Sequence, residues 1–173
     1  MRARLSVLWV RNVFGAVVAA AAIAVLVFTG LGGLGESWAQ YRHTVVPGAV
    51  VPAGWSGDAD RRTWTVDSIR HLNRSPRGFG PKLPPGTVLT VITVDRSGPP
   101  RDTGICNGVL IDGNRRWKNE SVGGFIAPEG DRVTSLCNQP GLLQFTFLLP
   151  QDVVPTAMDV VALDGRIMVR LQL

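Results

Sequence analysis

The sequence predicts an all-β domain, an antiparallel β-sandwich of immunoglobulin-like size, preceded by one N-terminal transmembrane helix. Three observations carry this reading. Asn12 to Gly35 holds no charged side chain and is mostly Val, Ala, Leu, Ile and Phe. After Arg61, six or seven short segments rich in β-formers alternate with Gly, Pro and Asp-Gly turn signals, the pattern of a sandwich built from short strands. The only two cysteines, Cys106 and Cys137, both fall in that second part. A small closed barrel is the alternative all-β arrangement.

The helix comes first. About 20 helical residues cross a hydrocarbon layer of ~30 Å, and Val13 to Leu34 is long enough. Arg2, Arg4 and Arg11 precede the span and no acid does, so residues 1–11 are expected in the cytoplasm and everything after Gly35 outside. Trp9 on one flank, and Trp38 and Tyr41 on the other, stand where interfacial aromatics belong. Residues 12–35 are therefore read as a signal-anchor. The rival is a cleaved signal peptide, for which Ser37-Trp38-Ala39 has the small residues a peptidase needs. Its apolar core exceeds the roughly 7–15 residues typical of such signals. Gly15 and Ala19, like Ala20 and Ala24, are four apart, a spacing that lets a partner helix approach closely.

All thirteen acidic residues and fifteen of the eighteen basic ones follow Gly35, which leaves that part at only +2 of the overall +5. The high overall charge is thus no argument for nucleic acid. Of the basic residues sixteen are Arg; with abundant Ala, Gly and Val, this is the composition of a GC-rich bacterium such as an actinobacterium.

Residues 36–60 read as a Pro/Gly-rich tether, with Pro47, Gly48, Pro52, Gly54 and Gly57. The short apolar run Val45-Val46 and Ala49-Val50-Val51 fits at most a first edge strand, since Pro47 and Pro52 interrupt it. Residues 61–173 are the extracytoplasmic β-sandwich. "RTWTVDSI" places Trp64, Val66 and Ser68 on one face, with Ile69 marking a slip or bulge. "GTVLTVITVD", Gly86–Asp95, reads as a central strand buried on both faces. "ICNGVLID" and "RRWKN" flank a two-residue hairpin turn at Asp112-Gly113 or Gly113-Asn114, with Trp117 inward. In "LLQFTFLL" Leu143, Phe145 and Phe147 alternate on one face. After a second hairpin signal at Asp164-Gly165, Ile167, Val169, Leu171 and Leu173 alternate with Met168, Arg170 and Gln172.

Two cysteines in an exported domain pair most often as one disulfide; free thiols or a metal are the alternatives. A zinc site needs about four ligands at close spacing. Here there is no CxxC, and the two histidines, His43 and His71, lie far upstream. No catalytic set, cofactor motif or metal cluster is legible. "GWSGD" lacks the second glycine of a nucleophile elbow and its strand–turn–helix context. The chain is read as a non-enzyme, with an envelope hydrolase built around His71 as a distant alternative. One charge feature stands out: Arg61, Arg62, Arg70, His71, Arg74, Arg77 and Lys82 are opposed only by Asp67. Arg70, Arg74, Arg77 and Lys82 are candidate contacts for an anionic lipid or glycan; as solvated charges they would discourage edge pairing.

"LPPGTVLTVITV", "CNGVLIDGNRRW" and "LLQFTFLLPQDVV" followed by "VVALDGRIMVRLQL" together resemble actinobacterial single-pass membrane proteins with an immunoglobulin-like extracytoplasmic domain. The resemblance covers Thr63–Leu173. It implies a surface-exposed accessory or interaction module beside envelope or transport machinery, and it carries over no catalytic or binding residues. The expected protein is thus a cell-membrane, extracytoplasmic interaction module with a protein partner in the envelope.

Overall fold

A long apolar run without proline shapes the N-terminal unit. The structure, a computed structural model, describes residues 2–74, 82–100, 104–121, 125–128, 130, 132–134 and 136–173, without the side chains at 2–8, 10, 11 and 31–34. Helix α1 spans Arg2–Val45. From Asn12 to Gly30 every side chain is exposed, Phe14 at 71% and Phe28 at 78%. Apolar side chains on this scale are left in contact with solvent only at a large hydrophobic cost. The helix is long and apolar enough to cross a membrane as an anchor, or to act as a signal sequence. Thr29 Oγ1 donates to Val25 O at 2.8 Å, so the one hydroxyl of this stretch is satisfied within the helix.

The expected tether over 36–60 is not what forms. The helix continues ten residues past Gly35, because Glu36 to Val45 contains neither Pro nor Gly; Pro47 and Gly48 are the first breakers. Trp38 and Tyr41, three apart on the helix, lie with ring centroids 5.7 Å apart. The rest of the segment supplies two strands, β1 (Val50–Val51) and β2 (Ser56–Ala59).

The second unit, His43–Leu173, is a β-sandwich. Its other strands are β3 (Arg62–Leu72), β4 (Thr87–Ser97), β5 (Cys106–Asp112), β6 (Arg115–Lys118), β7 (Val133–Thr134), β8 (Gly141–Pro150), β9 (Ala157–Ala162) and β10 (Ile167–Gln172). One sheet has the order β1-β10-β9-β5-β6 and the other β2-β3-β4-β8-β7. The long central ladders are antiparallel. The two-residue strands β1 and β7 instead pair parallel to β10 and β8 at the sheet edges. The antiparallel expectation therefore needs correction: the sheets are mixed, because β1 pairs with β10 from the far end of the domain and the six residues 135–140 bring the chain from β7 back to pair with β8 in the same direction. The β2-β3-β4 meander also departs from the strand order of immunoglobulin domains.

Three tight turns set the hairpin registers. Asp112 pairs with Arg115, so Gly113-Asn114, with Gly113 at φ 56°, is the turn from β5 to β6, and residues 163–166, with Gly165 at φ 85°, connect β9 to β10. Between β2 and β3 the turn is Asp60-Arg61, both left-handed at φ 57° and 61°. Two consecutive left-handed residues match the strand twist of a two-residue hairpin.

A bulge decides what faces inward on β3. Its register against β4 shifts between Val66 and Ser68, leaving Asp67 unpaired. Trp64 and Val66 then share the inner face with Ile69 and His71, which stand opposite Ile92 and Thr90. A one-residue slip reverses every later side chain, so Ser68, expected beside Trp64, turns to the outer face.

The core lies between the sheets. Trp64, Ile92, Val94, Leu143, Phe145 and Phe147 of one sheet meet Leu110, Met158, Val160, Val169 and Leu171 of the other. Trp117 packs against this cluster partly buried, with the Arg115 guanidinium 5.4 Å from its ring centroid. At Gly108 the sheets pack closely: a Cβ there would lie 2.9 Å from both Phe145 and Phe147. On the outer face of β9, fully buried Asp159 accepts from Arg170 Nε at 2.6 Å and Nη2 at 2.8 Å. Arg116 comes within 4.0 Å. The hydrogen bond to Asp159 raises the Arg170 pKa above its ordinary value. This two-pronged pair fixes the β9–β10 register.

Candidate functional site

The β3 bulge leaves one end of the sandwich open. There Ile69 and His71 extend the inner face of β3 past the point where the opposite sheet covers it. Together with the link after β8 they bound a cavity of about 500 Å³, within the roughly 300–1,000 Å³ usual for ligand pockets. Val88 and Ile92 form part of an apolar lining that Val153, Pro155 and Leu173 complete. Ile69 (40% exposed) and Val154 (75%) stand in solvent at the same site.

A few polar groups enter this apolar surface. His71 Nδ1 and Thr90 Oγ1 are hydrogen-bonded at 3.0 Å, which satisfies the hydroxyl of a threonine only 1% exposed. The side chains of Asn73 and Gln151 also line the cavity. Gln151 is held by its backbone, whose N–H donates to Gly86 O at 2.9 Å. An apolar lining with a small number of hydrogen-bonding groups is the usual composition of a binding cleft. His71 and Thr90 are the pair that a hydrolase would require, but no Asp or Glu side chain is among the described lining residues to orient the imidazole. Among the described residues no group of three His, Cys, Asp or Glu is placed to hold a metal ion.

The basic residues singled out in the sequence are not gathered around this cavity. Arg70 lies on the outer face of β3, where Nη2 donates to Gln144 Oε1 on β8 at 3.3 Å. Gln144 is itself anchored to the segment over that face, donating to Ala127 O at 3.1 Å and Pro128 O at 3.2 Å. Arg74 and Lys82 are exposed and lie on opposite sides of the β3–β4 connection. Arg77 lies outside the described residues. Arg74 directly follows the lining residue Asn73, whereas Arg70, between the lining residues Ile69 and His71, is on the opposite face of β3.

Cys106 and Cys137 form a disulfide, with their Cα atoms 5.8 Å apart. Both are buried. The bridge joins the start of β5 in one sheet to the turn before β8 in the other. Cys137 N donates to Gly104 O at 2.9 Å, and Arg62 Nη1 to Cys137 O at 3.0 Å.

Sequence reasoning did not find the cavity. Thr90, Gln151, Val153 and Leu173 come from three distant segments and have no shared spacing. The one local signal was the slip at Ile69, which marks where the inner face changes phase.

No family model matches the chain, and no curated protein matches it. An uncharacterised β-sandwich protein from Clostridium difficile 630, of known crystal structure, is similar at 13% identity and a TM-score of 0.36. The alignment covers 74% of this chain and 95% of that one. At that level of similarity nothing about the role of this chain follows from it.

Proposed function

We propose that this chain is a membrane-anchored, extracytoplasmic interaction module, an accessory subunit of a cell-envelope or transport complex. Its cleft receives an apolar side chain of a protein partner. The observation that carries the reading is the open end of the sandwich: an apolar cavity with exposed Ile69 and Val154 at its edge and hydrogen-bonding amides within. The apolar helix supports an anchor, and the disulfide supports an oxidising compartment. The resemblance to actinobacterial single-pass proteins, and with it an immunoglobulin-like architecture, belongs to the same proposal.

The test is site-specific photo-crosslinking in intact cells from Val154, with Leu163 as control. Leu163 is 67% exposed and lies just past the end of β9, away from the cavity lining. One stoichiometric adduct from position 154, absent from position 163 and abolished by Ile69→Asp, is the expected result. The same adduct from both positions, or none from 154, refutes the cleft as the contact point. A second reading, binding of an anionic lipid or glycan, is favoured by Arg74 beside the lining residue Asn73. Arg74→Glu with Lys82→Glu should then remove salt-sensitive binding to anionic vesicles; unchanged binding eliminates it.

A further inference from the structure

The other end of β3 and β4 poses an electrostatic problem of its own, independent of the cleft. Arg96 lies on the inner face of β4, opposite Trp64 of β3 and Gly141 of β8. It is 1% exposed, and Arg62 beside it is 4% exposed. Arg62 donates from Nη1 to Cys137 O at 3.0 Å. In contrast, Arg96 Nε, Nη1 and Nη2 meet no acceptor among the described residues. A guanidinium carries five N–H donors and no acceptor, so Arg96 brings a full set of donors into the interior without the groups that would receive them.

Arg96 cannot escape by losing its proton. Burial, and then repulsion from Arg62, pulls its pKa down to about 10. At pH 7 a group with that pKa is neutral in only about one molecule in a thousand. The charge therefore persists, and an isolated charge in an apolar interior is strongly unfavourable. Side chains with this problem elsewhere in the domain show the usual remedy: Arg170, also turned against a sheet, is matched by the buried carboxylate of Asp159.

We propose that Arg96, with Arg62 beside it, holds a small inorganic anion, chloride or an oxoanion of phosphate size, as a structural part of the folded domain. The planar fork of a guanidinium matches an oxoanion in two-pronged fashion, and a second cation nearby strengthens the attraction. The near-complete burial of both arginines restricts the site to ions that can be enclosed on folding and excludes bulky ligands. A ligand that binds only the folded state stabilises it in proportion to the logarithm of its concentration.

The measurement is thermal unfolding of the full chain in non-ionic detergent, read by near-UV circular dichroism. Sodium gluconate, too bulky for the site, fixes the ionic strength while chloride in one series and phosphate in another replace it. The expected result is a saturable rise in midpoint in at least one series, about 5 °C at tenfold excess over Kd. The series that responds identifies the ion. In Arg96→Met, which removes the buried charge and packs as a hydrophobe, the rise should vanish, and the variant should be the more stable protein in gluconate. If that variant fails to fold, Arg96→Lys decides. It keeps the charge and loses the fork, and its half-saturation should move to at least tenfold higher concentration. A wild type indifferent to both ions, an equal rise in Arg96→Met, or an unchanged half-saturation in Arg96→Lys overturns the proposal. The counter-charge would then come from a carboxylate of the chain itself.

Discussion

Trp64→Ala is expected to lower the stability of the sandwich by about 4 kcal/mol, within the 3–5 kcal/mol typical of emptying a buried aromatic site. Trp64 is completely buried and is the bulkiest of the fully enclosed side chains. It serves two elements at once. Its ring fills the inner face of β3 within the central cluster, and its Nε1 donates to Ala59 O at 3.2 Å, which ties β2 back onto β3 across the left-handed Asp60-Arg61 turn. Removing the ring leaves a cavity next to Arg96, a place where a cavity admits water to a charge and loosens the strand end. Trp64→Phe separates the two contributions: it retains most of the apolar volume and loses the hydrogen bond, so it should cost about 1–2 kcal/mol. Urea unfolding of the full chain in detergent, followed by near-UV circular dichroism, gives both numbers. Against a total of about 5–15 kcal/mol for such a domain, the alanine variant should unfold at markedly lower urea. A loss below about 1 kcal/mol would mean that the core is centred elsewhere.

The parts of this fold that sequence reveals are those with a repeating pattern long enough to read. β4 declares itself through Val88–Val94, and β8 through Leu143, Phe145 and Phe147, because each alternation runs over several residues and is flanked by Pro or Gly. The hairpins around Gly113 and Gly165 are legible for a local reason, the need for a positive φ. β7, by contrast, is two residues long, and its pairing with β8 is parallel. Two residues carry no period, and a parallel partner leaves no turn signature. The same holds for β1, whose bracketing prolines marked an edge strand but not its partner β10. Helix α1 outran its expected end because hydropathy, which places a membrane span, falls at Glu36 while helix propensity does not.

Charge patterning misled most where it mattered. Arg62 belongs to a basic run that reads as solvated, and Arg96 follows Asp95 at the end of an apolar strand, where a charge normally signals the return to solvent. Both are buried. The strand period places them inward, in line with Trp64 and Val94, and that geometry overrides the preference of the side chain. Inward parity at a charged position is the available signal, and it can be recognised only once the register is known. The cleft is less legible still, since its lining is assembled from the ends of strands that meet only in the folded domain.

Removing the disulfide is the second large expected effect. Cys106 and Cys137 are 31 residues apart, and closing a loop of that size restricts the unfolded chain enough to contribute about 3–4 kcal/mol. The chain between them includes β6 and β7, each an edge strand of its sheet. Without the bridge these edges depend on short ladders alone: four paired positions for β6 and two for β7. The carbonyl of Cys137, which receives the Arg62 guanidinium, would also lose its fixed position, so the loss should reach the buried arginines. The Cys106→Ser, Cys137→Ser double variant should therefore unfold about 3–4 kcal/mol more easily than the oxidised wild type. Reductant should bring the wild type toward the variant and leave the variant unchanged. A mobility difference between reduced and non-reduced wild type on a denaturing gel, absent from the variant, checks that the bridge is present in the protein made by cells. If alkylation under denaturing, non-reducing conditions labels both thiols in protein taken directly from cells, the bridge is not closed there. The stabilisation would then be lost, and the oxidising compartment assigned to the domain would lose its chemical support.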